Sequence, residues 1–149
     1  MPRYFTLQQA QDTVEKLRGV IKAAVEVRTR QAEAEGELRE AVQRAQVLGG
    51  VRLDPDRMAL LSKAKQLAAV RLRECVEAIE ESGAQLKDLD AGLLDFPTLY
   101  RGAEVLLCWR LGEAGIGYWH GLEEGFRGRK AIDRDFLDHH TGDEEEGAR

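Results

Sequence analysis

The spacing of apolar residues changes once along this chain, at Gly83, and that change limits the fold more than any other feature. Up to Ser82 apolar residues recur three and four apart; beyond Gly83 they alternate at two, in short runs divided by turn residues. The first spacing belongs to amphipathic helices and the second to half-buried strands. Helices in one block and strands in the next indicate an α+β chain, not an interleaved α/β one.

The first helix begins at Thr6, three residues before Gln9 in TLQQ. This is capping-box spacing, in which two side chains satisfy free backbone N–H groups. Leu7, Ala10, Val14, Leu17, Ile21 and Ala24 follow, and the same coiled-coil-like heptad frame passes Arg28, Gln31 and Glu35 before turning apolar at Leu38, Val42 and Ala45. The pairs Glu26–Arg30, Glu35–Arg39 and Glu40–Arg44 stand four apart, each worth roughly 0.3 kcal/mol. Gly36 costs about 1 kcal/mol against alanine, which allows a kink. Gly49-Gly50 supplies the stop, so the helix spans about 6–48.

A second helix, about 55–82, starts at the capping pair Asp54-Pro55. Met58, Leu61, Ala68, Leu72, Cys75 and Ile79 form its seam, interrupted by Lys65. Cys75 on that spacing is a small core residue. The short GGVRLD link makes the two helices antiparallel. At 1.5 Å per residue they would run roughly 60 and 40 Å. The shorter one therefore covers only about residues 22–48. Leu7 to Ile21, with the larger apolar side chains, needs another cover.

The segment after Gly83 is the natural cover, with strands expected near 85–89, 93–100, 103–111 and 115–121. Tyr100-Arg101-Gly102-Ala103 and Gly112-Glu113-Ala114-Gly115 are the turns between them. Pro97 cannot donate to a ladder, so its strand is an edge or is bulged there. The expected architecture is a long antiparallel helical hairpin followed by a small antiparallel β-meander packed on its base, one domain over 1–132. The remainder, 133–149, with DHHTGDEEEGAR, is acidic, poor in apolar residues and predicted to be disordered.

A turn centred on Glu113-Ala114 sets Leu111 opposite Ile116, Trp109 opposite Tyr118, and Leu107 opposite His120. Cys108 then falls opposite Trp119, on the other face with Leu106 and Arg110. In this register Cys108 and His120 point apart and share no metal. A slip by one residue reverses every such assignment. Leu107, Trp109, Tyr118 and Trp119 read as hairpin core or interface. Both sheet faces are apolar and the helices bury one, so a second copy of the chain is the expected cover of the other.

The 149 residues carry a formal charge of −5, distributed as +1 over 1–50, 0 over 51–83, −3 over 84–128 and −3 over 129–149. No segment is basic enough to mark a nucleic-acid binder. Two cysteines, Cys75 and Cys108, stand far apart with no CxxC pair, which indicates neither a zinc knuckle nor a disulfide framework. A reduced cytoplasm is the expected setting. MPRYFTLQQAQD has no apolar run of signal-peptide type, and no window approaches the roughly 18 apolar residues of a membrane span.

The run KDLDAGLLDFP (Lys87–Pro97), the following EVLLCWRLGEAGIGYWHGLEEGFRG and the opening RYFTLQQA resemble a bacterial family of uncharacterised proteins, domain of unknown function 2203. The matching segments reach about Ile132. The resemblance implies a shared fold and a bacterial source, and it brings no assigned activity, cofactor or catalytic residue.

Asp88, Asp90 and Asp95 crowd one stretch, with Arg110, Glu113, His120 and Glu123 near them in the expected sheet. Carboxylates with a histidine suit a divalent metal, through hard oxygen and imidazole donors. The plainer account is that Asp88 and Asp90 shape the KDLDAG turn, Arg110 pairs with Asp95, Glu113 is solvated and His120 is a satisfied lone histidine. His139-His140 beside Asp138 could bind a metal loosely, but with nothing packed to hold the ligands the plainer account is an incidental pair in the tail. No GxSxG, GxxxxGK[ST] or HExxH occurs, and Cys108 between Leu107 and Trp109 lacks the exposed, electropositive setting of a nucleophile. Two readings follow. One is a homodimeric interaction or scaffold module with no chemistry of its own. The alternative is a small-ligand or divalent-metal-binding protein, an enzyme included, with its site at Asp88, Asp90, Asp95, Arg110 and His120.

Overall fold

The computed structural model describes residues 3–49 and 54–144, so residues 50–53 of the GGVRLD link and the last five of the acidic tail lie outside the described residues. Helix α1 spans Leu7–Leu48 and helix α2 Pro55–Glu81. Thr6 Oγ1 accepts from the Gln9 N–H while Gln9 Oε1 accepts from the Thr6 N–H, completing the capping box. Asp54 caps α2 by accepting from the Asp56 and Arg57 amides. Gly36 does not interrupt α1. The helices run antiparallel: Ala24 and Val27 pack with Ala68, Leu72 and Cys75, and Lys65 reaches Glu35 at 3.9 Å.

The buried seam of α1 departs from the heptad frame after Ala24, running to Val27 and Ala34 instead of Arg28, Gln31 and Glu35. The reason is a change of partner. As far as Ile21 the helix meets the sheet; from Ala24 it meets α2, which approaches from another side.

The sheet holds β1 (Gln85–Asp88), β2 (Leu93–Tyr100), β3 (Ala103–Arg110), β4 (Tyr118–Gly121), β5 (Lys130–Ala131) and β6 (His140–Thr141). The order is β1-β2-β3-β4-β5, all antiparallel, and β6 also pairs with β2. Gly92, at φ +65°, turns the chain from β1 into β2, and a Cβ there would lie 2.7 Å from that of Leu111. Pro97 falls between the stretches of β2 that pair with β1 and β6. Its carbonyl accepts from the Phe5 N–H at 2.7 Å, so the ladder loses nothing by its missing donor.

The expected disorder from 133 is corrected over the described part of the tail. Helix α3 (Arg134–His139), capped by Asp133, carries a fully buried Phe136 onto Tyr100, Trp119 and His140. His140 is not incidental either. Its Nε2 accepts from the Leu7 N–H at 3.0 Å, satisfying a free amide at the start of α1. Acidic composition suggested a solvated segment, but one large aromatic and two end-on contacts hold it in place.

The core lies between α1 and the inner face of the sheet. Phe5, Ala10, Val14, Leu17 and Ile21 pack against Leu94, Phe96, Leu107, Trp109, Ile116 and Phe136. The base of the hairpin is thus covered by the meander. Among the described residues no helix is long and apolar enough to cross a membrane.

Candidate functional site

The loop between β3 and β4 decides which side chains share the outer face. It runs from 111 to 117 and sets Cys108 opposite Tyr118, Leu107 opposite Trp119, and Leu106 opposite His120. The register differs by one residue from that of a turn centred on Glu113-Ala114. An odd-length loop replaces an even one, because Ile116 leaves the ladder to fill the core at 5% exposure. Trp119 therefore joins Leu107 and Trp109 on the inner side. Tyr118 and His120 move to the outer side with Cys108.

Asp95 on β2 pairs with Cys108 on β3, and His120 on β4 stands beside them. A carboxylate oxygen, the thiol sulfur and an imidazole nitrogen lie within 4.8 Å of one another, all three residues buried. The opening reading of Cys108 and His120 as divergent is thus corrected. His120 Nε2 is 3.1 Å from both oxygens of Asp95, and Nδ1 is 2.7 Å from the Gly121 carbonyl oxygen. A carbonyl only accepts, so Nδ1 must carry a proton and donate it. One further proton must lie between Nε2 and Asp95, donated by the ring or by the carboxyl group. Either way the pair has no net charge, which suits its burial.

The Cys108 thiol is pushed up to about 12, chiefly by burial and further by the charge of Asp95, while Arg129 works the other way. At neutral pH it is protonated and not a nucleophile. Arg129 is the lid of the cluster. Its Nη1 donates to Glu113 Oε1 at 2.9 Å and Oε2 at 3.1 Å, and its guanidinium lies 4.1 Å from the ring centroids of both Tyr118 and Phe126. Burial opposes its charge, but Glu113 and then Cys108 outweigh that, so its pKa stands above the ordinary value.

Glu113 is not a solvated turn residue. Besides Arg129 it accepts from the Arg110 N–H at 2.7 Å, and its carbonyl accepts from Trp109 Nε1 at 3.1 Å. The stretch 122–130 folds over the outer face, held also by Glu124, which accepts from the Gly121 N–H and from Lys130 Nζ. The chain's own loop thus lies against this face, with Arg129 over Tyr118 and Phe126. Among the described residues no buried side-chain nitrogen or oxygen lacks a hydrogen-bond partner.

Of the five residues singled out from sequence, the structure brings together Asp95 and His120. Asp88 Oδ1 accepts from the Ala91 N–H in the turn, and Asp90, largely exposed, lies 3.6 Å from Arg28. Arg110 is exposed beside Phe126 and not paired with Asp95. Cys108, Glu113 and Arg129 are the residues that sequence reasoning set aside or passed over. Only the parity of the 111–117 loop would have put Cys108 on the His120 side, and nothing local announces Arg129.

Nitrogen, oxygen and sulfur donors from three adjacent strands form a set suited to zinc-class ions. In a tetrahedral site such donors stand about 3.3–3.7 Å apart, given metal–ligand distances of about 2.0–2.3 Å. The 3.1 Å contact and the 4.8 Å limit bracket that spacing, so small side-chain movements suffice. No curated protein and no solved structure matches the chain. The family described as "Uncharacterized conserved protein (DUF2203)" matches residues 3–132, and the chain belongs to that family.

Proposed function

We propose that this protein binds one divalent transition-metal ion of the zinc class through Asp95, Cys108 and His120. The observation that carries the reading is the convergence of three different donor types within 4.8 Å in a buried position. Binding would take the place of the proton shared by Asp95 and His120 and would displace the thiol proton of Cys108. Binding therefore releases protons, so affinity should rise with pH. Three protein donors leave a fourth position open, as in catalytic rather than structural sites. Arg129, held by Glu113, lies against Cys108 and would act as a positioning group beside the bound ion.

The test is titration of the metal-free chain with Zn²⁺, and with Co²⁺ followed by the thiolate-to-cobalt absorption. One equivalent should bind, with the cobalt band lost in Cys108→Ser and binding lost in His120→Ala. Absence of stoichiometric binding, or binding indifferent to both substitutions, overturns the reading.

A second reading is a homodimeric interaction module, in keeping with two free cysteines and a reducing bacterial cytoplasm. Its support lies on the helical hairpin: Leu60 and Leu67 on α2 are 63% and 62% exposed, and Leu67 lines a groove with Val27, Ala64 and Ala68, flanked by Arg30 and Arg71. Paired hairpins would bury this stripe. Native mass spectrometry should then show a dimer that Leu67→Glu dissociates; a monomer at micromolar concentration sinks the idea.

A further inference from the structure

Next to the donor cluster, on the same outer face, lies a cavity of about 240 Å³ lined by Asp88, Ala91, Leu93, Arg110 and Phe126. Leu93 is its floor and pairs with Asp88 on one side and with Arg110 on the other. An acidic and a basic side chain therefore face one another across an apolar base. The cavity begins two residues along β2 and β3 from Asp95 and Cys108, roughly 7 Å at about 3.3 Å per residue.

We infer that this cavity binds a small zwitterion of the apolar α-amino-acid class. Arg110 would take the carboxylate, Asp88 the ammonium group, and Ala91, Leu93 and Phe126 the side chain. The charges are available for this. Among the described residues the Arg110 guanidinium forms no salt bridge, whereas its neighbour Arg129 is forked onto Glu113. The backbone of Arg110 is fixed by that same Glu113 and its guanidinium stands 5.6 Å from the Phe126 ring centroid, so the head is placed at the cavity wall while, among the described residues, its N–H groups have no carboxylate partner. Asp88 spends one oxygen on the Ala91 N–H and keeps the other. A planar guanidinium suits a carboxylate because two parallel N–H groups match its two oxygens. The volume falls below the roughly 300–1,000 Å³ of drug-sized sites, which suits a small ligand.

The site does not depend on an ion at Asp95, Cys108 and His120, and the experiment keeps the two apart. Leucine is titrated calorimetrically into the full chain, with and without chelator, beside leucinamide, which lacks the carboxylate, and N-acetylleucine, which lacks the ammonium. Saturable leucine binding is expected in both conditions, with each derivative at least tenfold weaker. Arg110→Gln should remove the preference over leucinamide alone, and Asp88→Asn the preference over N-acetylleucine alone. Both side chains are exposed, and the asparagine keeps the acceptor that the turn uses, so melting should change little. Absence of saturable leucine binding, equal binding of the three compounds, or preferences untouched by both substitutions overturns the assignment.

Discussion

On its inner face the sheet meets α1 with Leu94, Phe96, Leu107 and Trp109, all at 0% exposure. One residue along the same strands, the outer face carries Asp95 and Cys108, with His120 beside them and just as deeply buried. The inner face meets a 42-residue helix, the outer one a loop held by Arg129 on Glu113 and by Glu124 on Gly121 and Lys130. Burying apolar side chains stabilises a fold by about 1.5–3 kcal/mol each, and the inner face has the composition that such burial favours. A buried His–Asp pair is different: its desolvation roughly cancels its attraction, so it adds little net stability. A sheet that needed only a second layer would be served better by leucine at 95 and 120. The outer face therefore draws little of its stability from this pair.

The largest expected effect comes from breaking the inner face. Trp109→Ala should lower unfolding free energy by about 3–5 kcal/mol in urea titrations, because the cavity left under α1 cannot collapse. A loss below 1 kcal/mol would mean that the inner face is not the main core. Next is the outer pair. Asp95→Ala should cost about 3 kcal/mol by leaving His120 Nε2 without its partner, while Asp95→Leu combined with His120→Leu should recover most of that loss. If the double variant is no better than the single one, the pair is a stabilising element and the contrast between the faces fails.

The smallest effect is alkaline. In the metal-free chain the folded thiol of Cys108 holds its proton up to about 12, whereas an ordinary thiol loses it near 9.0. A raised folded pKa contributes stability that is complete below the unfolded value and declines as pH rises through the window from 9 to 12. About 1.4 kcal/mol should be gone by pH 10. Cys108→Ala should remove this part of the slope and leave the rest of the pH profile in place. Equal slopes for the two proteins would place the thiol in contact with water.

The helical half of the molecule is legible residue by residue. Thr6 with Gln9 and Asp54 with Pro55 mark helix starts through contacts between near neighbours, which sequence contains in full. The mismatch in helix length likewise predicts that Leu7 to Ile21 must meet something else, and the change of period after Gly83 says what. The tail misleads for the opposite reason. Its charge dominates its composition, while its order rests on Phe136 reaching Tyr100 and Trp119 and on His140 reaching Leu7, all outside the segment itself.

Composition and periodicity by themselves determined the α+β class, the antiparallel hairpin and the meander on its base, because helix and strand periods are local properties. They also supplied Asp95 and His120 as candidates. Tertiary structure alone decided that these two meet, that Cys108 joins them and that Arg129 covers them. Strand register is set by the length of the 111–117 loop and by Ile116 seeking the core, and a change of one residue there exchanges the two faces of β4.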